Sequence, residues 1–268
     1  KLSPNNFEGL MIKGLIYVSQ HHFSEGLDIA EKAKAANPYN SFVYGIITDA
    51  NVELGNYKSA VENADKMASF RPDMKSYSRV AYLREIYGDY PGAIEAMQMA
   101  VDAGIPGDEN TEWARIQLAR LYENTGDLAM AEALYNMSLE TRPSYAYALA
   151  GLAKLAAGKK DYKKAIEYYQ QAQLTTVDNA ITEGLAETYV LSGDTKKADE
   201  LNKQLISALS KDAESASNDE NIGHYSDMEL AYLYLKTGDT KKALEHAMIE
   251  YNRRPDNNDV NECLAWIY

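Results

Sequence analysis

Apolar residues recur along this chain with helical spacing, and short polar turns interrupt the pattern at regular distances. Leu118, Leu121 and Tyr122 precede the turn Thr125-Gly126-Asp127-Leu128, and Leu134 and Tyr135 follow it to face them. Leu230, Leu233 and Tyr234 face Leu244 and Ala247 across Thr237-Gly238-Asp239-Thr240 in the same way. Related turns are Leu54-Gly55-Asn56-Tyr57, Tyr87-Gly88-Asp89-Tyr90 and Ser192-Gly193-Asp194-Thr195, with a lysine-rich variant at Gly158-Lys159-Lys160-Asp161-Tyr162. Glycine in such a turn adopts the left-handed angle that ends a helix, so each turn predicts two antiparallel helices.

With the turns aligned, the first helix of each unit begins near Phe7, Ser41, Met74, Glu112, Ala146, Asn179, His224 and Asn258, at spacings of 34, 33, 38, 34, 33, 45 and 34 residues. The eighth position of successive units holds Gly14, Thr48, Ala81, Ala119, Ala153, Ala186, Ala231 and Ala265, and the twentieth holds Gly26, Ala60, Ala93, Ala131, Ala165, Ala198 and Ala243. Two helices joined by a short turn cross closely only where the contact point has no bulk, which small residues on both helices provide. Pro38, Pro72, Pro143 and Pro255 sit just past the second helices, where a residue without an N–H stops the helix. A period of this length marks an array of helical repeats.

These positions resemble the tetratricopeptide repeat family, whose motif is small at the eighth and twentieth positions, Tyr near the eleventh and Pro near the thirty-second. Tyr17, Tyr122, Tyr189, Tyr234 and Tyr268 match the eleventh position, while Asn51, Arg84 and Ala156 depart from it. The resemblance covers residues 7–268. It implies an all-α fold, a right-handed α-solenoid of helix-turn-helix repeats forming one array. The expected repeats are 7–40, 41–73, 74–111, 112–145, 146–178, 179–223 and 224–257, with an unpaired first helix at 258–268.

Two spacings exceed the rest. Gly104-Ile105-Pro106-Gly107-Asp108-Glu109 adds four residues to the 34-residue period and reads as a surface loop. Eleven extra residues fall within 207–225, read as a second helix extended to about Ser215 and then a loop. The last helix lacks the partner that would cover Leu264 and Tyr268, so continuation beyond Tyr268, or coverage by a second copy, is expected. The absence of a methionine before Lys1 is read as loss of an upstream segment.

Composition narrows the function classes. The net charge of −13, without a continuous basic stripe, argues against nucleic acid as a partner. No run of 18 apolar residues is present to span a membrane. Tyr outnumbers Phe by 21 to 4, which suits a thin two-layer array whose rings keep a wet tip. Cys263 is the single cysteine, so neither disulfides nor a thiolate metal cluster is expected. His21 and His22 fall in the first inner turn and read as solvent-facing, and His246, beside Glu245 and Glu250, reads as a surface residue. No phosphate-cradling loop or nucleophile elbow occurs, so no enzyme activity, cofactor or metal is expected.

What remains is the wall formed by the first helices. In tetratricopeptide arrays the second, fifth, ninth and twelfth positions face a concave groove, and here they include Phe42, Asp49, Tyr82, Glu85, Trp113, Ile116, Arg120, Glu123, Tyr147, Lys154, Tyr225, Tyr232 and Trp266. Trp, Tyr and Arg dominate binding hot spots, so Phe42, Asp49, Tyr82, Trp113, Arg120, Tyr147, Lys154, Tyr225 and Tyr232 are the candidate partner-binding residues. Trp113, Arg120, Tyr147 and Lys154 form the central patch among them. Chaperone-binding members of the family clamp a terminal carboxylate with Lys, Asn and a Lys-Arg pair. Met11, Leu15, Gly45, Asp49, Ser78 and Tyr82 stand at those places here, so that ligand is not expected.

The expected role is a non-catalytic scaffold that holds a peptide or protein in its groove. Two alternatives stay open: self-association through the uncapped C-terminal helix around Trp266 and Tyr268, and a cell-surface module stacking sugars or a small ligand on its rings. Residues 78–85 and 88–97 resemble bacterial members of the family, many of them exported, which together with the missing initiator tilts the expected compartment towards periplasm or cell surface.

Overall fold

The computed structural model describes residues 6–218 and 225–268, and all regular structure among them is helical. In chain order the helices are α1 (Phe7–Ser19), α2 (Phe23–Ala36), α3 (Ser41–Glu53), α4 (Tyr57–Phe70), α5 (Met74–Ile86), α6 (Tyr90–Asp102), α7 (Glu109–Asn124), α8 (Leu128–Thr141), α9 (Ala146–Gly158), α10 (Tyr162–Gln173), α11 (Asn179–Ser192), α12 (Thr195–Asn218), α13 (Asp227–Lys236), α14 (Thr240–Arg253) and α15 (Asn258–Ile267). The fold class is the expected one, all-α and built of helix-turn-helix repeats. Six first helices begin at the residues read from the sequence, whereas α7 starts at Glu109, three residues ahead of Glu112. The expected start at His224 lies outside the described residues, as does the loop over 219–224, and α13 begins at Asp227.

The inner turns explain the Gly-Asp signature. The fifteenth residue of each of the seven repeats has positive φ: glycine at 55, 88, 126, 193 and 238, His21 at 58° and Lys160 at 63°. In the lysine-rich turn, therefore, the left-handed residue is Lys160 and not Gly158, which ends α9. The next residue opens the second helix. Asp89, Asp127, Asp161, Asp194 and Asp239 each accept a hydrogen bond from a backbone N–H three residues on, at 3.0 to 3.3 Å. Such a cap stabilises a helix start by about 1 kcal/mol.

The small residues sit where helices cross. Ala81, Ala93, Ala119, Ala131, Ala153, Ala165, Ala231 and Ala243 are wholly buried. Thr48 is tolerated at the same position because its hydroxyl donates to the Tyr44 carbonyl at 2.8 Å. Ala265, whose helix has no second helix against it, is exposed.

The helices form two compact units. The middle unit, Asp73–Leu205, holds α5 to α11 and the start of α12. Its cores run through Ala81, Ala93, Leu118, Leu121, Leu134 and Leu152, and through Ala153, Leu185 and Ala198. Between its repeats, the ring of Tyr135 on α8 lies on Gly151 of α9, and Tyr169 on α10 meets Gly184 of α11; a Cβ at either glycine would collide with the ring. The terminal unit combines the chain up to Pro72 with the chain from Ile206 onward. Ala30, Ala33, Val43, Ile46 and Ile47 form a core there, with Phe42 packed against it.

The two extra segments behave differently. The loop after α6 exposes Ile105 yet is pinned from below: the Thr111 hydroxyl accepts from the Ile105 N–H at 2.9 Å, and the Glu112 carboxylate accepts from the Gly107 N–H at 2.8 Å. Both Thr111 and Glu112 are fully buried. The second extra segment extends α12 to Asn218.

Candidate functional site

Five candidate residues lie in the middle unit, on the first helices of three successive repeats: Tyr82 on α5, Trp113 and Arg120 on α7, and Tyr147 and Lys154 on α9. Tyr82, Trp113 and Tyr147 are 39%, 46% and 36% exposed. The helices that carry them are tied by a ladder of ion pairs. The twelfth residue of one repeat pairs with the ninth of the next: Glu85 with Arg120 at 2.9 Å, and Glu123 with Lys154 at 2.6 Å. Asn124 adds a hydrogen bond to Glu85 at 3.3 Å. In both rungs the carboxylate is the more buried partner and the cation faces out.

A tyrosine stands behind the second rung. The Tyr135 hydroxyl donates to Glu123 at 2.6 Å, and burial, then this carboxylate, raises its pKa far above the ordinary phenol value. Tyr147 donates to Asp178, the N-cap of α11, at 3.2 Å and meets Tyr145 edge-on, with centroids 5.5 Å apart. Tyr145 in turn donates to Glu109 at 3.0 Å. Burial first, and then the neighbouring carboxylates, raise the pKa of both phenols, so they remain neutral donors at physiological pH. On this wall Tyr147 is thus fixed by Asp178 on one side and by the Tyr145 ring on the other.

The other four candidates lie in the terminal unit and are half-buried. Phe42 packs on the core beside α3. Asp49 lies on the same helix. The Tyr225 ring is covered by the Arg253 guanidinium, 3.7 Å from its centroid. Tyr232 lies against Cys263, and burial, followed by that thiol, pushes its pKa up to about 12.

The histidines depart from their expected settings. His21 stacks on Phe23 with centroids 5.3 Å apart, His22 meets Tyr17 edge-on, and both line a cleft of about 200 Å³ with Tyr225, Arg253 and Arg254. Tight turns carry these rings against a distant part of the chain, so they are half-buried and not solvent-facing. His246 is no ordinary surface residue either: it stacks on Tyr234 at 5.6 Å, and its Nδ1 lies 2.8 Å from the Asp227 carboxylate. The pairing partners on the candidate wall were visible in the sequence only as periodic charges, Glu at the twelfth position and a base at the ninth of the next repeat.

Comparison with known proteins agrees with this architecture. Residues 116–181 match the tetratricopeptide repeat family model. Among solved structures the chain is similar to PilF of Pseudomonas aeruginosa, at 14% identity over 74% of this chain and 90% of that one, with a TM-score of 0.61. It is similar to PilW, a widely conserved type IV pilus biogenesis factor, at 16% identity over 75% and 92%, with a TM-score of 0.62. A tetratricopeptide repeat protein from Parabacteroides merdae matches over 97% of this chain and 98% of its own, at 15% identity and a TM-score of 0.57. No curated protein matches the chain. The resemblance to the tetratricopeptide repeat family is thus established, by sequence over residues 116–181 and by fold over nearly the whole chain. No helix among the described residues is long and apolar enough to cross a membrane.

Proposed function

We propose that the chain is a non-catalytic scaffold and that the α5, α7 and α9 wall of the middle unit is where it holds a segment of a partner protein. The observation that carries this reading is the set of three solvent-facing rings, Tyr82, Trp113 and Tyr147, on helices cross-braced by Glu85–Arg120 and Glu123–Lys154. Rings give large contact area at small entropy cost, and the flanking cations supply polar contacts whose charge is already balanced from behind. An extended peptide or a helix with apolar side chains at regular intervals fits such a wall. Trp113 is the anchor. Trp113→Ala is expected to weaken partner binding by about 1–3 kcal/mol while the helical circular dichroism stays unchanged. Affinity equal to wild type, measured by calorimetry on a partner recovered by cross-linking, refutes the assignment.

A second reading has its own observation. Trp266, in the last turn of α15, and Tyr268, just past it, are 68% and 87% exposed, so we also propose this end as a self-association surface. Sedimentation that does not change with concentration dismisses it.

A further inference from the structure

Residues some 200 positions apart meet in the terminal unit. The turn between α3 and α4 lies against the turn between α14 and α15, and the seam is polar. Arg254 is its hub. Its guanidinium binds Glu250 in the last turn of α14 at 2.7 and 3.0 Å, hydrogen-bonds to Glu53 at the end of α3, and lies 5.6 Å from the centroid of Phe23 on α2. Asn257 serves two helices at once. Its side-chain oxygen caps α15 by accepting from Asp259 and Val260 at 3.0 and 3.1 Å, while its side-chain nitrogen donates to the Glu53 and Val52 carbonyls at 3.1 and 3.4 Å. These are among the last carbonyls of α3, beyond the reach of its own N–H groups, although the Val52 carbonyl also accepts from the Gly55 N–H at 3.1 Å. The Tyr57 hydroxyl accepts from the Asn258 N–H at 2.7 Å, satisfying a donor in the first turn of α15.

Gly55 shows that the fit is tailored. A Cβ there would run into the Asp256 carbonyl, whereas the equivalent glycines 88, 126, 193 and 238 have open space around them. Five glycines share one backbone conformation, and one of them is also needed for a close approach.

The apolar residues on either side of the seam belong to separate sets of helices. Ala30, Ala33, Val43, Ile46 and Ile47 form their cluster within α2 and α3. Leu230, Ala243, Ala247, Val260 and Cys263 are buried on α13, α14 and α15. Parting the seam would return Arg254, Glu53 and the Asn257 amide to water, which offsets most of the lost attraction. Burial already works against the charged form of Glu53, whose pKa is raised by desolvation in spite of Arg254.

We propose that this seam is a clasp, which opens and closes while the helices on either side remain folded. The closed state holds the residue 52–57 and 254–258 turns together; the open state uncovers Phe23, now buried, and widens the cleft lined by His21, His22 and Tyr225. A contact of this type, built largely of hydrogen bonds and an ion pair between turns, belongs to the low-energy openings of a protein.

Amide hydrogen exchange on the full chain tests it, because the Asn258 N–H has Tyr57 as its partner across the seam whereas the Ile47 N–H lies in the core of α3. Glu53→Gln removes the ion pair without touching Asn258. It is expected to speed exchange at Asn258 by about tenfold or more and to leave Ile47 unchanged, as for a sub-global opening. Raising sodium chloride from about 0.05 to 1 M on the unmodified protein should move the two amides in the same unequal way, since salt weakens the pull between Arg254 and the partly exposed Glu53. Equal rates at Asn258 and Ile47, or an Asn258 rate indifferent to both the substitution and salt, overturns the clasp.

Discussion

Arg142 and Arg254 occupy the same position in their repeats, each followed by the proline that closes the second helix, yet they do different work. In the middle unit Arg142 turns to its neighbours, pairing with Glu109 at 2.6 Å and lying 5.3 Å from the Tyr145 centroid. Both members of that pair are well exposed, so it contributes at most about 1 kcal/mol. In the terminal unit Arg254 reaches Glu53 and Phe23, residues from the other end of the chain, and is largely buried. A repeat fixes where a side chain begins; the partner it meets depends on what the fold brings opposite. The middle unit is accordingly held by contacts one repeat apart, and the terminal unit adds a contact that no local period encodes.

The largest expected effect lies in the middle unit, at the buried pair of Glu112 and Arg115, 2.9 Å apart. Glu112→Gln would leave the Arg115 guanidinium buried without its counter-charge, and breaking such a pair costs about 3–5 kcal/mol. Urea denaturation should show that loss; a change below 1 kcal/mol would mean the pair is more hydrated than its burial implies. Acid should imitate the substitution. Burial alone would raise the pKa of Glu112, but the Gly107 N–H and Arg115 lower it further than burial lifts it. A carboxyl depressed in the folded state contributes its full stability above the unfolded carboxylate range and loses it as pH falls through the lower folded value. Stability of the native protein should therefore drop below about pH 4.5, and Glu112→Gln should flatten that slope.

Next in size is Ala131→Leu. Ala131 is wholly buried at the crossing of α7 and α8, where added methylenes force the helices apart at a cost of about 1–3 kcal/mol. A neutral melting shift would indicate that the crossing yields, so that the small-residue register matters less to packing than its regularity implies.

The helices were legible because they obey local rules. Small residues at two fixed positions, glycine at the turn, aspartate after it and proline beyond each describe one backbone event, and the starts at Ser41, Met74, Ala146, Asn179 and Asn258 follow from them. Glu109 was missed as a helix start because the extra loop feeds α7 a further turn, capped by Asp108. The wall was legible as a set of side chains but not as a set of pairs. Glu85 and Arg120 are 35 residues apart, and only packed helices show that they touch. His21 and His22 defeat sequence reasoning for a deeper reason: their surroundings are supplied by Tyr225, Arg253 and Arg254, about 200 residues later, and no periodicity points there.

The smallest effect sharpens the comparison most cheaply, because it contrasts one repeat position across the two units. Asp127 caps α8 by accepting from the Met130 N–H at 3.0 Å, whereas Asn56, at the same position ahead of α4, makes no side-chain cap bond. Asp127→Ala should cost about 1 kcal/mol, and Asn56→Ala only a few tenths of that, although both remove a residue type favoured at helix starts. The difference isolates the hydrogen bond from the residue preference, since turn and left-handed glycine are common to both sites. Two equal losses in thermal melts would mean that the α4 start is capped in solution by Asn56 after all.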